Sequence, residues 1–206
     1  MRSPQALLRA AAVSALAAAG CLAKPALVSR SFSIDGPPAR AEAPAAGRVL
    51  TLAPVRVAAI YSGSYLTYRT GPHAIETDPY ARLAAPPGSM LGAAIRGYLA
   101  ASDFVRDVVQ AGDGIPSEAR IEVYASEIAG VLGTDPAGIL TLQFRVVVPA
   151  AGPGGGGTEI LLKTYSRSVP ISRRTAEAVV EAWNRGLGGI MSEFEADLKT
   201  ALPSRP

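Results

Sequence analysis

The sequence predicts an α+β fold: a two-layer sandwich in which a mainly antiparallel sheet is covered on one face by two long helices. Three observations predict it. Residues 138–150, "GILTLQFRVVVPA", set Leu140, Leu142, Phe144, Val146 and Val148 on one side against Thr141, Gln143 and Arg145 on the other. That is the period of a strand with one covered face, which antiparallel sheets allow. Two other segments, 119–132 and 158–171, show similar alternation. Two stretches then place apolar residues three and four apart, enough helix to cover the sheet.

Taken along the chain, "SRSFSID" (29–35) alternates Phe32 and Ile34 with polar neighbours and reads as a short strand. Residues 36–47, "GPPARAEAPAAG", have no apolar period and read as a flexible or partly extended segment. "RVLTLAPVRVAAI" carries Val49, Leu50, Leu52, Val55 and Val57, a buried strand broken or bent at Pro54. A hairpin follows: a strand over 64–69, a Gly71-Pro72 turn, and a strand over 73–77.

The first helix lies in "PPGSMLGAAIRGYLAAS", whose prolines suit a first helical turn. Met90 or Leu91, Ala94 or Ile95, and Tyr98 or Leu99 recur at its period. "ARIEVYASEIAGVL" puts Ile121, Val123 and Ala125 on one face and slips phase at Ile128. After the strand in 138–150, "AAGPGGGGTE" can only be a loop, a hairpin tip with little fixed structure. "TEILLKTYSRSVPI" then sets Ile160 and Leu162 against Leu161, Lys163, Tyr165 and Arg167. In the second helix Ala176, Val180, Trp183, Leu187, Ile190, Phe194 and Leu198 form the apolar stripe. Glu177, Glu181, Arg185, Glu193 and Glu195 occupy its other face. Gly186, Gly188 and Gly189 each cost roughly 1 kcal/mol inside a helix, which points to close packing or to a kink; both stay open here.

Ahead of this domain, "MRSPQALLR" is basic and "AAAVSALAAAG" is apolar and small, the pattern of a secretory leader. The run breaks at Lys24 and Pro25, short of the roughly 20 apolar residues a spanning helix needs. "AAGC" resembles the lipobox of bacterial lipoproteins, although Ala18 stands where leucine is usual. Cys21, the only cysteine, is then the expected acylation site and first mature residue, and its acyl chains the membrane anchor. A lone thiol cannot close an intrachain disulfide. The expected organisation is a leader over 1–20, a tether over 21–29, one domain over 30–202 and a tail over 203–206. The leader inflates both the pI of about 9.2 and the mean hydropathy. Without Arg2 and Arg9, 18 basic residues face 17 acidic ones, and a balance near +1 argues against a nucleic-acid binder.

Catalytic chemistry is scarce in these residues. His73, the single histidine, falls in a predicted turn, and no G-x-S-x-G elbow accompanies it. Zinc-type sites need several cysteines or histidines, so no metal site is expected. "GPGGGG" lacks the lysine and hydroxyl of a phosphate loop. Glu193/Glu195 and Glu177/Glu181 read as solubilising pairs on a solvated helix face. No catalytic residue and no cofactor are expected. One cluster stands out: Tyr61, Tyr65, Tyr68 and Tyr80 lie within twenty residues of one another. Aromatic rings with polar tips suit interfaces, and they equally suit packing on a sheet.

Taken in order, the lipobox cysteine, "VLTLAPVRVAAIYSGSYLTYRTG", "DPYARLAAPPGSMLGAAIRGYLAAS" and "AEAVVEAWNRGLGGIMSEFEADL" resemble the ABC-type transport auxiliary lipoprotein family over essentially the whole mature chain. Tyr80, Arg82 and Pro86 fit the family's run before the first helix, with Leu83 at its tryptophan position; Gly186 stands where alanine is usual. The resemblance implies a non-catalytic lipoprotein at the periplasmic face of the outer membrane, Leu22 being no inner-membrane retention signal. It implies as partners an MCE-type (mammalian cell entry) subunit with its ABC permease and ATPase, moving phospholipid or another hydrophobic substrate between the membranes. Tyr61, Tyr65, Tyr68 and Tyr80 would form the partner surface, and a homo-oligomer stays open. Two other readings are a periplasmic lipid-binding chaperone, with an apolar cavity between helices and sheet, and an outer-membrane assembly lipoprotein.

Overall fold

The computed structural model describes residues 29–37, 44–150 and 156–202. The leader, Cys21, most of the tether, residues 38–43, the middle of the glycine-rich connection and the C-terminal tail lie outside them. Among the described residues nine strands form one sheet, and two helices lie on it. The expected α+β architecture is the one observed.

The centre of the sheet is β7 (Ala119–Val131), one whole edge of which pairs with β8 (Ala137–Pro149). β8 pairs in turn with β9 (Gly157–Pro170). Both ladders are antiparallel and long. The phase slip foreseen at Ile128 has its cause in a register shift between Ala125 and Glu127, a bulge that restores Ile128 to the covered face.

The other edge of β7 is met in succession by three short parallel strands. β2 (Arg48–Leu52) pairs at Ala119–Ile121, β3 (Arg56–Val57) at Tyr124–Ala125, and β4 (Tyr65–Arg69) at Gly130–Val131. The break between β2 and β3 falls at Pro54, as the sequence indicates, because proline has no N–H for the ladder. β2 continues outward to the parallel β6 (Val105–Gln110), and β4 to the antiparallel β5 (Ile75–Leu83) and then the parallel β1 (Arg30–Phe32). The sheet is therefore mixed, with antiparallel long ladders and parallel short joins.

Helix α1 (Pro87–Ala100) buries Met90, Leu91, Ala94, Ile95 and Leu99, the predicted stripe, and packs chiefly over β6 and β3. Helix α2 (Ala176–Ala201) covers β8 and β9. It starts where the Thr175 hydroxyl accepts from the Ala178 N–H at 3.3 Å, a helix cap of the ordinary kind. Trp183, Leu187, Ile190, Phe194 and Leu198 are buried against the sheet. Phe194 stacks on Phe144 with centroids 4.0 Å apart, and Tyr165 meets both rings edge-on.

The glycines of α2 mark close packing, and the helix runs unbroken past them. Side chains of Arg167 and Val169 lie about where a methyl on Gly186 would touch them, at 3.4 and 3.5 Å, while Gly188 faces the Tyr98 hydroxyl of α1.

Two predicted details are corrected. In β9 the side turned toward α2 is Leu161, Lys163, Tyr165 and Arg167, with Tyr165 buried and Leu162 exposed. The two cations sit inward because α2 offers Glu193 and Asp197 to them. The strand expected over 73–77 instead spans Ile75–Leu83, passing through Pro79. Its ladder with β4 jumps from Thr67↔Thr77 to Tyr65↔Arg82, and that irregularity accommodates a residue without an N–H.

Candidate functional site

The tyrosine cluster maps onto the β4–β5 hairpin and the 3-10 turn before it (Ala59–Tyr61). The structure divides the four. Tyr61 and Tyr68 are each only 8% exposed and belong to the core. Tyr68 crosses over Gly130 of β7, where an added Cβ would come within 2.6 Å of its ring; its hydroxyl lies 3.3 Å from the Asp78 carboxylate. Burial and that neighbouring charge push the phenol well above its usual range.

Tyr65 and Tyr80 are 50% and 46% exposed. Tyr65 pairs across the ladder with Arg82, and Tyr80 lies two residues from Arg82 on β5, on the side opposite buried Ala81 and Leu83. The result is an outward face of two half-exposed rings flanking a guanidinium. Asp78 holds the backbone there, accepting from the Tyr80 N–H at 2.8 Å. Ile60, 56% exposed, projects from the preceding turn. Sequence spacing identified the cluster, but only the strand register separates the rings that pack from those that face outward.

The acidic face of α2 serves structure. Lys163 reaches Glu193 at 3.1 Å and Asp197 at 2.8 Å, Arg167 reaches Glu193 at 2.6 Å, and the Tyr165 hydroxyl donates to Asp197 at 2.6 Å. Hydrogen bonds from Arg167 and Lys163 hold the Glu193 carboxyl below its ordinary range, and those from Lys163 and Tyr165 do the same for Asp197. Glu177 pairs with Arg30, and Glu195 with Lys199 at 2.8 Å. These carboxylates keep the solvent exposure the helix pattern suggested and add cation partners to it, while Glu181 stays 71% exposed with Arg185 at 4.0 Å. His73 is exposed in the turn after β4. Among the described residues no group of three or more His, Cys, Asp or Glu is placed to hold a metal ion, and no helix is long and apolar enough to cross a membrane.

These features define a class: a two-layer α+β domain with a half-exposed ionic seam between helix and sheet and an aromatic surface at one corner of the sheet. The chain belongs to the ABC-type transport auxiliary lipoprotein family, whose model matches residues 32–193. It is a transport-accessory component by family, and the family is not one of known enzymes. No curated protein matches the chain. The solved structures that share the fold include these three. A Xanthomonas campestris protein of the DUF330 family model is 17% identical, with a TM-score of 0.64 over 81% of this chain and 92% of that one. An uncharacterised protein is 12% identical, with a TM-score of 0.65 over 83% and 99%. A hypothetical protein of Chlamydia trachomatis is 11% identical, with a TM-score of 0.50 over 78% and 100%.

Proposed function

We propose that this protein is a non-catalytic docking lipoprotein, acylated on Cys21 and held at the periplasmic face of the outer membrane. There it engages the MCE-type subunit of an ABC transport system that moves phospholipid or another hydrophobic substrate between membranes. The observation that carries the reading is the outward face of Tyr65, Arg82 and Tyr80. Half-exposed aromatics beside an arginine have the composition of an interface centre. Tyr61 and Tyr68 support that face from beneath as core residues. The family and the lipobox-like "AAGC" ending at Cys21 support the anchor and the transport setting.

The test is capture of the MCE subunit by the full-length lipoprotein and by a Tyr65→Ala/Tyr80→Ala variant. The variant is expected to keep the wild-type thermal transition and to bind about tenfold or more weakly, as loss of interface-centre residues does. Undiminished capture by folded variant protein would move the partner surface elsewhere. Intact mass beside a Cys21→Ala control tests the anchor separately.

A further inference from the structure

We propose that a cleft beside α1 binds a single-chain anionic amphiphile, its head group on Arg96 and its acyl chain along the wall built around Pro54. Between β2 and β3 the chain leaves the edge of β7, and the gap together with α1 encloses a cleft of about 580 Å³. That volume falls within the roughly 300–1,000 Å³ of small-molecule sites. Ser89, Gly92, Ala93 and Arg96 line it from the helix, three and four residues apart, so they form one stripe.

The two ends of the stripe differ in character. At the Gly88 end the backbone of Val55 and the side chain of Val57 approach so closely that an added Cβ would lie 2.7 and 3.3 Å from them. Pro86 and Pro87 complete this end. At the other end the Arg96 guanidinium donates to the Val108 carbonyl, and Gln110 stands beside it on the rim. Arg96 has no carboxylate partner among the described residues. Position 87 to position 96 is a rise of about 13 Å along the helix. The cleft is thus amphipathic along its length, apolar at one end and cationic at the other.

The walls favour an acyl chain over a protein segment. Pro54, Pro86 and Pro87 have no N–H, Val55 and Val57 add alkyl surface, and the side-chain polar groups beside them are the Ser62 and Ser89 hydroxyls. An extended peptide would desolvate its own amides there with few partners to replace water, whereas a hydrocarbon chain has no such groups. A guanidinium with no acid opposite it selects a carboxylate or phosphate head over a neutral one. The cleft is lined by residues other than Tyr65 and Tyr80, so this inference and the docking role can fail independently.

The experiment uses the full-length protein in phosphatidylcholine nanodiscs with a diazirine-bearing laurate, the labelled peptides being mapped by mass spectrometry. Label is expected in peptides covering 52–57 and 86–96. Unlabelled laurate should compete, and lauryl alcohol and butyrate should not. Arg96→Gln should reduce labelling about tenfold, the loss of one charged hydrogen-bond partner. Ala93→Phe, at an exposed position, should fill the cleft and abolish labelling without shifting the thermal transition. Butyrate or inorganic phosphate competing as well as laurate would reduce the site to an anion contact and overturn the proposal. So would equal competition by lauryl alcohol, or label indifferent to Ala93→Phe. Protection of 86–96 only when the transport partner is added, with no laurate label, would assign the cleft to a protein segment instead.

Discussion

The two sides of β7 are built on different plans. On one side β8 and β9 follow as continuous antiparallel hairpins beneath α2, with the Phe144, Tyr165 and Phe194 rings and the Lys163–Asp197 seam behind them. On the other, β2, β3 and β4 touch the edge of β7 in short parallel pieces with a gap at Pro54 and a turn at Ala59–Tyr61. The contrast teaches where recognition can be placed on such a sheet. Long antiparallel ladders, each interrupted by a single bulge, leave a platform. Interrupted joins leave a cleft and a hairpin corner, both free to vary while the platform holds.

The platform should break first at Trp183. Its ring is 1% exposed and its Nε1–H donates to the Ala129 carbonyl at 3.0 Å. Trp183→Ala is expected to cost about 3–5 kcal/mol, read as a lower midpoint in urea with the slope unchanged. A smaller effect should come from the seam between the two sides. Gly130→Val would drive a side chain into the Tyr68 ring and toward Val179, an overpacking cost of about 1–3 kcal/mol. Hydrogen exchange should show β4 and β5 opening sooner while β8 and β9 keep their protection; uniform loss would mean the two sides act as one unit.

Next is acid. Glu193 and Asp197 have carboxyls held below their ordinary values. Their contribution is complete above the unfolded value near pH ~4 and is lost as pH falls through the lowered folded values. Thermal midpoints should therefore fall more steeply below about pH 4 in wild type than in Glu193→Gln. The smallest change is a gain. An added methyl at Gly186 meets Arg167 and Val169 at ordinary contact distance, so Gly186→Ala should stabilise by about 0.5–1 kcal/mol. A loss on that substitution would show that α2 sits closer to β9 than 3.4 Å allows.

The platform was legible because its strands are adjacent in sequence and its alternation survives, apart from two bulges. Leu140, Leu142, Phe144 and Val146 are all buried as their spacing indicates. β9 was legible as a strand but not in phase, since Lys163 and Arg167 look like solvent positions until α2 is seen to place Glu193 opposite. β6 went unread. "VRDVVQ" buries Val108 and Val109 in succession and shifts register against β2 at Arg48/Val49, so it has no period to detect. The tyrosines could be found but not sorted, because exposure depends on the irregular pairing around Pro79. The cleft has no local signature at all: it joins residues of β2, α1 and β6 that only the packing brings together.

The parallel joins along β7 also set an order of events. Each of β2, β3 and β4 pairs with a partner roughly 60–70 residues further along the chain, and such distant closures are slow because loop entropy is lost before contacts repay it. Nothing on that side can take its final place until β7 has been delivered. The β4–β5 hairpin can form from its own residues, but β2 and β3 have no place beside β7 until residues 119–125 arrive, so the cleft at Pro54 takes shape only after the chain well beyond it is in position.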